Sequence, residues 1–178
     1  MSRIMQAWEA LLRDAISTDY DKQQNALFQI GLILQRHNPH VVPDSDIYEE
    51  SLSRELLRLT LNETRQTDTV IYLLQLVKNH PKQADSFFFS LSNTQPKILI
   101  EPLLTLLQEI GAKLNTAAAY QALIALEGAI RNRGDAIIPT LKVHDISALL
   151  NDWAGRKDDL LAEKAKNVDN RIKKLIGG

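Results

Sequence analysis

The apolar residues of this chain recur three and four positions apart from one end to the other, and nowhere do they alternate with polar residues as a half-buried strand requires. That regularity confines the fold to packed helices. Ile4, Trp8, Leu11, Leu12, Ala15 and Ile16 line one face of a first helix, with Ser2 placed to cap it. Thr18 and Asp21 have capping-box spacing ahead of a second helix carrying Ala26, Leu27, Ile30, Ile33 and Leu34, and Phe28 and Leu32 widen its stripe. So broad an apolar surface needs neighbours on more than one side, which puts this helix inside a stack.

Residues 37–45, with Pro39 and Pro43, interrupt the pattern and read as the longest loop. Asp46 is then placed to cap a helix bearing Tyr48, Leu52, Leu56 and Leu59, with Glu49 in its first turn. A further helix spans 67–79 on Val70, Leu73, Leu74 and Val77. Pro81 suits a first helical position, and Pro96 or Pro102 opens the next helix the same way. Ala119, Leu123, Leu126 and Ile130 form another stripe, with Gly134 placed as a carboxyl-terminal cap. Ile146, Leu149, Leu150 and Trp153 make a shorter helix closed by Gly155, and Leu161, Ala165, Val168, Ile172 and Leu175 mark the last. The expectation is roughly nine helices, no strand, and a single all-helical domain over residues 1–178. For a chain of 20.1 kDa the folded surface should be about 8,700 Å².

Helix pairs joined by short links start near residues 3, 46, 82, 116 and 144, a drifting period of 43, 36, 34 and 28 residues. Units of the armadillo/HEAT-like class often carry a Pro in their first helix, and an Asp followed by Val and a basic residue in their second. Pro102 and Val168-Asp169-Asn170-Arg171 are fragments of that pattern, and over most of its length the chain resembles this class of helical solenoids. The resemblance implies antiparallel helix pairs stacked as a short irregular solenoid, and the adaptor or assembly roles common in that class. The tetratricopeptide arrangement of Trp, Leu-Gly and Tyr is absent, and a compact helical bundle is the alternative architecture.

Composition narrows the chemistry. Twenty-one Lys and Arg against 22 Asp and Glu give a net charge of −1, without the global basic field of a protein held by phosphates. There is no cysteine, which excludes disulfides, thiolate metal sites and a Cys nucleophile. Arg3, Glu9, Arg13 and Asp14 interrupt any amino-terminal apolar run, so no export signal is expected and the cytoplasm is the expected location. The most apolar stretch, 98–110, is broken by Glu101, Pro102 and Gln108, too soon to span a bilayer. No phosphate loop, nucleophile elbow, paired-His zinc motif or dinucleotide fingerprint occurs, and no cofactor is expected.

Four sets of residues invite a functional reading. Phe87, Phe88 and Phe89 are consecutive, and helical geometry fans them about 100° apart, so one packing face cannot hold all three. Either their helix is buried on several sides, or one Phe anchors a partner. His37 and His40 with Asp44 and Asp46 supply enough donors for a divalent ion, yet His37 also suits a helix carboxyl end and Asp46 a cap, and no metal is assigned. Arg133-Gly134-Asp135 spells an integrin-type tripeptide, each residue of which has a local explanation. Residues 156–178 hold seven Lys or Arg against four acids, a local basic excess of three on the final helix.

The chain is expected to be a non-catalytic interaction or scaffold module that binds another protein, with Phe87, Phe88 and Phe89 as the contact residues and Tyr72 and Tyr120 as lesser ones. Self-association as a homodimer through the same patch would look similar. The alternatives are an enzyme or enzyme subunit with a pocket between helices, and nucleic-acid binding through the basic final helix.

Overall fold

Ser2 Oγ accepts the Met5 amide at 3.2 Å and opens α1 (Arg3–Asp14), which buries Trp8 and Leu11. α2 (Tyr20–Arg36) is capped by Asp19, whose carboxylate accepts the Lys22 amide at 3.3 Å. The cap therefore lies one residue beyond Thr18, at a carboxylate that also complements the positive end of the helix dipole. The computed structural model describes residues 2–41, 44–131 and 137–177, and among these every regular element is helical. Pro43, Gly134 and the Arg133-Gly134-Asp135 tripeptide lie outside the described residues.

The stripe of Tyr48, Leu52, Leu56 and Leu59 is buried as expected, but not on one helix. Asp44, not Asp46, caps α3 (Ser45–Ser51). Leu52 is extended, and Ser53 then caps the separate one-turn α4 (Arg54–Leu57) by accepting the Leu56 amide. Asn62 accepts the Arg65 amide at 2.8 Å, starting α5 (Glu63–Asn79) four residues ahead of the expected position. Pro81 opens a short 3-10 turn leading into α6 (Ala84–Leu91). Pro96 takes the first position of α7 (Pro96–Ile110) while Pro102 lies inside it, where it leaves the Ile98 carbonyl without its helical donor. Then follow α8 (Thr116–Arg131), α9 (Ile137–Val143), α10 (Ser147–Ala154), closed by Gly155, and α11 (Asp159–Gly177). Among the described residues eleven α-helices thus stand where about nine were expected, the additions being α4 and α9.

Neighbour relations define the architecture. α2, α6, α8 and α11 follow one another in space, each touching the next. α5 packs on both α6 and α7, α1 on α2 and α4, α9 on α7 and α11, and α10 on α11. One core cluster runs from Trp8 to Ile172. Its middle is α6, only eight residues long, with α2, α5 and α8 against it and with Ala84, Phe87, Phe88 and Leu91 fully buried.

Two glycines allow that close fit. A Cβ at Gly31 of α2 would lie 3.1 Å from the Ser90 carbonyl oxygen, and one at Gly128 of α8 would lie 3.1 Å from that of Ser92. The carboxyl end of α6 is thus held between two helix backbones, and Ser90 Oγ fastens it to α2 by donating to the Leu27 carbonyl at 2.8 Å. Buried amides make further ties. Gln23 Nε2 donates to the Ala15 carbonyl at 3.0 Å and to Gln83 Oε1 at 2.8 Å, and Gln66 Nε2 donates to the Leu61 carbonyl at 3.0 Å. The exposed surface totals 9629 Å², above the roughly 8,700 Å² of a compact monomer of this mass. Among the described residues no helix is long and apolar enough to cross a membrane.

Candidate protein-interaction surface

The three consecutive phenylalanines take different roles. Phe87 and Phe88 are 0% exposed, so burial removes them from the expected contact surface: helices on three sides of α6 enclose both rings. Phe89, another 100° around, is 56% exposed. It is the member of the triplet available to a partner.

Phe89 is not isolated. Phe28 of α2, 41% exposed, and Ile47 of α3, 40% exposed, line the same mostly apolar cavity of about 210 Å³, which is floored by Leu27, Gly31 and Leu32. Gly31 helps create it, since a glycine there lets α2 approach α6 while placing no side chain in the space. Ser92 and Asn93 border the cavity at the end of α6, and Gln35 borders it on α2. By spacing alone Phe28 belongs to the core stripe of α2, and Ile47 lies outside the Tyr48, Leu52, Leu56 and Leu59 stripe. The available signal was the excess width of the α2 stripe, which holds more large apolar residues than one buried face can take.

The surroundings are acidic on one side. Asp44, Asp46, Glu49 and Glu50 are exposed on and beside α3, and no Lys or Arg lies between Arg36 and Arg54. The nearby Arg36 is turned inward. Its guanidinium donates to the carbonyls of Leu56 and Leu57 at 3.0 Å each and to that of Leu59, and burial lowers its pKa from the ordinary arginine value. Tyr48 packs beneath α3, with its hydroxyl pushed upward in pKa, first by burial and further by Asp44, against an opposing pull from Arg36.

Tyr72 and Tyr120 do not join this cavity. Both are half-buried against the core, and the Tyr72 hydroxyl donates to the Leu12 carbonyl at 2.5 Å, tying α5 to α1. Burial raises the Tyr72 pKa above the ordinary phenol value.

A second concavity lies between α5 and α7. A space of about 460 Å³ is bordered by Thr67, Ile71, Gln75, Pro102 and Thr105, and one of about 540 Å³ continues past Val77, Pro81 and Lys113. The Lys78–Glu109 ion pair, 2.8 Å long, stands where the two meet. Lys97 at the first of them pairs with Glu63. Of the charges lining this groove, Lys78 and Glu109 thus satisfy each other, and Lys97 is held by a carboxylate outside it.

The other residues singled out have local partners. The His37 Nδ1 lies 2.8 Å from the Ile33 carbonyl oxygen and its Nε2 accepts the Leu61 amide at 2.9 Å, so both ring nitrogens are engaged within the fold. Asp44 serves as the α3 cap. On the carboxyl-terminal side, Arg156 donates to the Leu114 and Ala112 carbonyls at 3.0 and 3.1 Å, Lys164 pairs with Glu127 at 3.1 Å, and Lys173 pairs with Asp169 at 2.7 Å. Intramolecular contacts thus take up part of the basic excess of the final helix. Asp145 accepts from the hydroxyl and the amide of Ser147, which hold its carboxyl below the usual range despite a small opposing effect of desolvation. No protein-family model, curated protein or solved structure matches this chain.

Proposed function

We propose that this chain is a non-catalytic protein-interaction module whose contact surface centres on Phe89, with Phe28 and Ile47 beside it. In this reading the helices stack in pairs as a short armadillo/HEAT-like array, with α2, α6, α8 and α11 forming one row and α5 and α7 part of the other. The neighbour relations and the excess of exposed surface support such a stack. The observation that carries the function is the exposed Phe89 ring, more than half uncovered beside an apolar cavity on a helix whose other phenylalanines are sealed in the core. Aromatic side chains of this kind dominate binding energy where a partner covers them.

The α5/α7 groove favours a second reading, a small-molecule site, because about 460 Å³ is within the range of such pockets and Pro102 leaves a carbonyl acceptor at its edge. One experiment separates the two. A photo-crosslinking amino acid is placed at position 89 in one protein and at Gln75 in another, and each is irradiated in extract of the source cell. The interaction reading expects discrete protein adducts from position 89, abolished by Phe28→Ser, and none from position 75. Adducts from position 75 alone, or from neither position, would overturn it.

A further inference from the structure

Resting on that interaction reading, we propose that the surface formed by α2, α3 and α6 takes a basic amphipathic helix of a partner protein. Its apolar anchors enter the cavity between Phe28 and Phe89, and its Lys or Arg residues face the acidic α3. Three observations select this occupant.

The first is size. The cavity of about 210 Å³ is below the ~300–1,000 Å³ of sites that enclose a drug-sized ligand, yet large enough to seat an apolar side chain. The second is area. With aromatic side chains of ~150–250 Å² each, the exposed parts of Phe28, Ile47 and Phe89 present an apolar patch on the order of 300 Å². A stable dimer of two copies needs about 800 Å² from each partner, so this patch suits one docked segment better than a second copy of the chain. Among the described residues no strand offers an edge for β-strand addition, and helix-in-groove docking is the mode that needs only an apolar cleft between helices.

The third is charge. Asp44, Asp46, Glu49 and Glu50 surround Ile47 in sequence, all exposed, with no Lys or Arg between Arg36 and Arg54. Asp44 uses its carboxylate to accept the amides of Asp46 and Ile47. At the opposite end of the α2/α6 cleft the signs are mixed: Asp21 and Asp85 stand among Lys22 and Lys82. The complementary segment therefore carries its positive charge toward α3, and electrostatic attraction there sets orientation and association rate more than final affinity.

The test is selection from a displayed library of amphipathic and proline-rich peptides of mixed charge against the full chain, with selected peptides measured by fluorescence anisotropy. Expected are peptides with apolar residues at helical spacing and a net positive charge. Their affinity should fall about thirtyfold with Phe89→Ser, as for an aromatic hot spot, and fall with Ile47→Ser. With Asp46→Lys/Glu50→Lys both affinity and its salt dependence should drop. Circular dichroism and thermal melts identify any variant that fails to fold, and Ile47→Ser then serves in place of Phe89→Ser. Acidic or proline-rich peptides that still require Phe89 would overturn the basic-helix assignment while leaving the interaction reading standing. A dimer in sedimentation equilibrium that Phe89→Ser dissociates would replace the partner helix by a second copy. Peptides indifferent to both Phe89→Ser and Ile47→Ser would overturn this assignment and the interaction reading together.

Discussion

Alanine substitution along Phe87, Phe88 and Phe89 measures the division of labour within one helix turn. A fully buried aromatic side chain removes ~150–250 Å² from water, and at about 25 cal/mol/Å² that is roughly 4–6 kcal/mol. With Phe87 and Phe88 both at 0% exposure, Phe87→Ala and Phe88→Ala should each cost ~3–5 kcal/mol, including the cavity left behind. Phe89 keeps 56% of its surface exposed, so the same arithmetic gives about 2 kcal/mol for the whole ring as an upper bound, and nearer 1 after the Cβ that alanine retains. For a domain of this length each kcal/mol moves Tm by about 2–4 °C, predicting losses of about 6–20 °C for the first two variants and a few degrees for the third. Urea and thermal melts followed by tryptophan fluorescence suit the purpose, because Trp8 and Trp153 are both buried and report from opposite ends of the core. Ellipticity should follow the same transition. A Phe89→Ala variant destabilised as severely as Phe88→Ala would refute the placement of Phe89 at the surface, and with it the contact site.

Two further substitutions test the ties between helices. Arg36→Lys should cost ~2–3 kcal/mol by urea denaturation, because an ammonium cannot reproduce the planar fork that reaches the Leu56, Leu57 and Leu59 carbonyls at once. Tyr72→Phe should cost about 1 kcal/mol near neutral pH through loss of the bond to the Leu12 carbonyl. Because burial raises the Tyr72 pKa in the folded chain, the unfolded chain loses this proton first as pH climbs past the ordinary phenol value of about 10. The contribution of Tyr72 is therefore complete below that pH and is lost as pH rises through the folded value. Melts from pH 8 to pH 11 should show the stability gap between wild type and Tyr72→Phe narrowing above about pH 10, and a gap that widens there would contradict the assignment.

The stripes were legible in the sequence because burial depends on spacing alone, and the places where helices begin and end were less so. Tyr48, Leu52, Leu56 and Leu59 are all buried, yet an extended Leu52 between Tyr48 and Leu56 satisfies the same spacing as a continuous helix. What decides between them is whether Ser53 caps a new helix, a local competition that periodicity does not register. Asp19 and Thr18 posed a similar choice of adjacent caps. Pro139 sits in the first turn of α9, where the missing amide proton is harmless, and without neighbouring stripes to flag it the segment did not read as a helix. The candidate site was legible in part. Geometry alone requires that the three phenylalanines diverge, but which of them faces outward depends on α2, α5 and α8, and those contacts come from distant parts of the chain.

The same contacts explain why Phe89 is suited to binding. An exposed ring on a frayed helix must be ordered when a partner arrives, and that ordering opposes association by about 0.5–1.5 kcal/mol for each side chain immobilised. Phe89 instead stands on a helix fixed from both sides, by the close approach of Gly31 and Gly128 to the carbonyls that end α6 and by the Ser90 hydroxyl bonded to Leu27. Phe87 and Phe88 beneath it are locked in the core and orient the turn that carries it. The features that stabilise the centre of the fold therefore also hold the exposed ring in place. A substitution that shifts α6 from the far side of the cavity, such as Gly128→Ala, whose Cβ would lie 3.1 Å from the Ser92 carbonyl oxygen, should weaken peptide binding measured by fluorescence anisotropy through this loss of preorganisation.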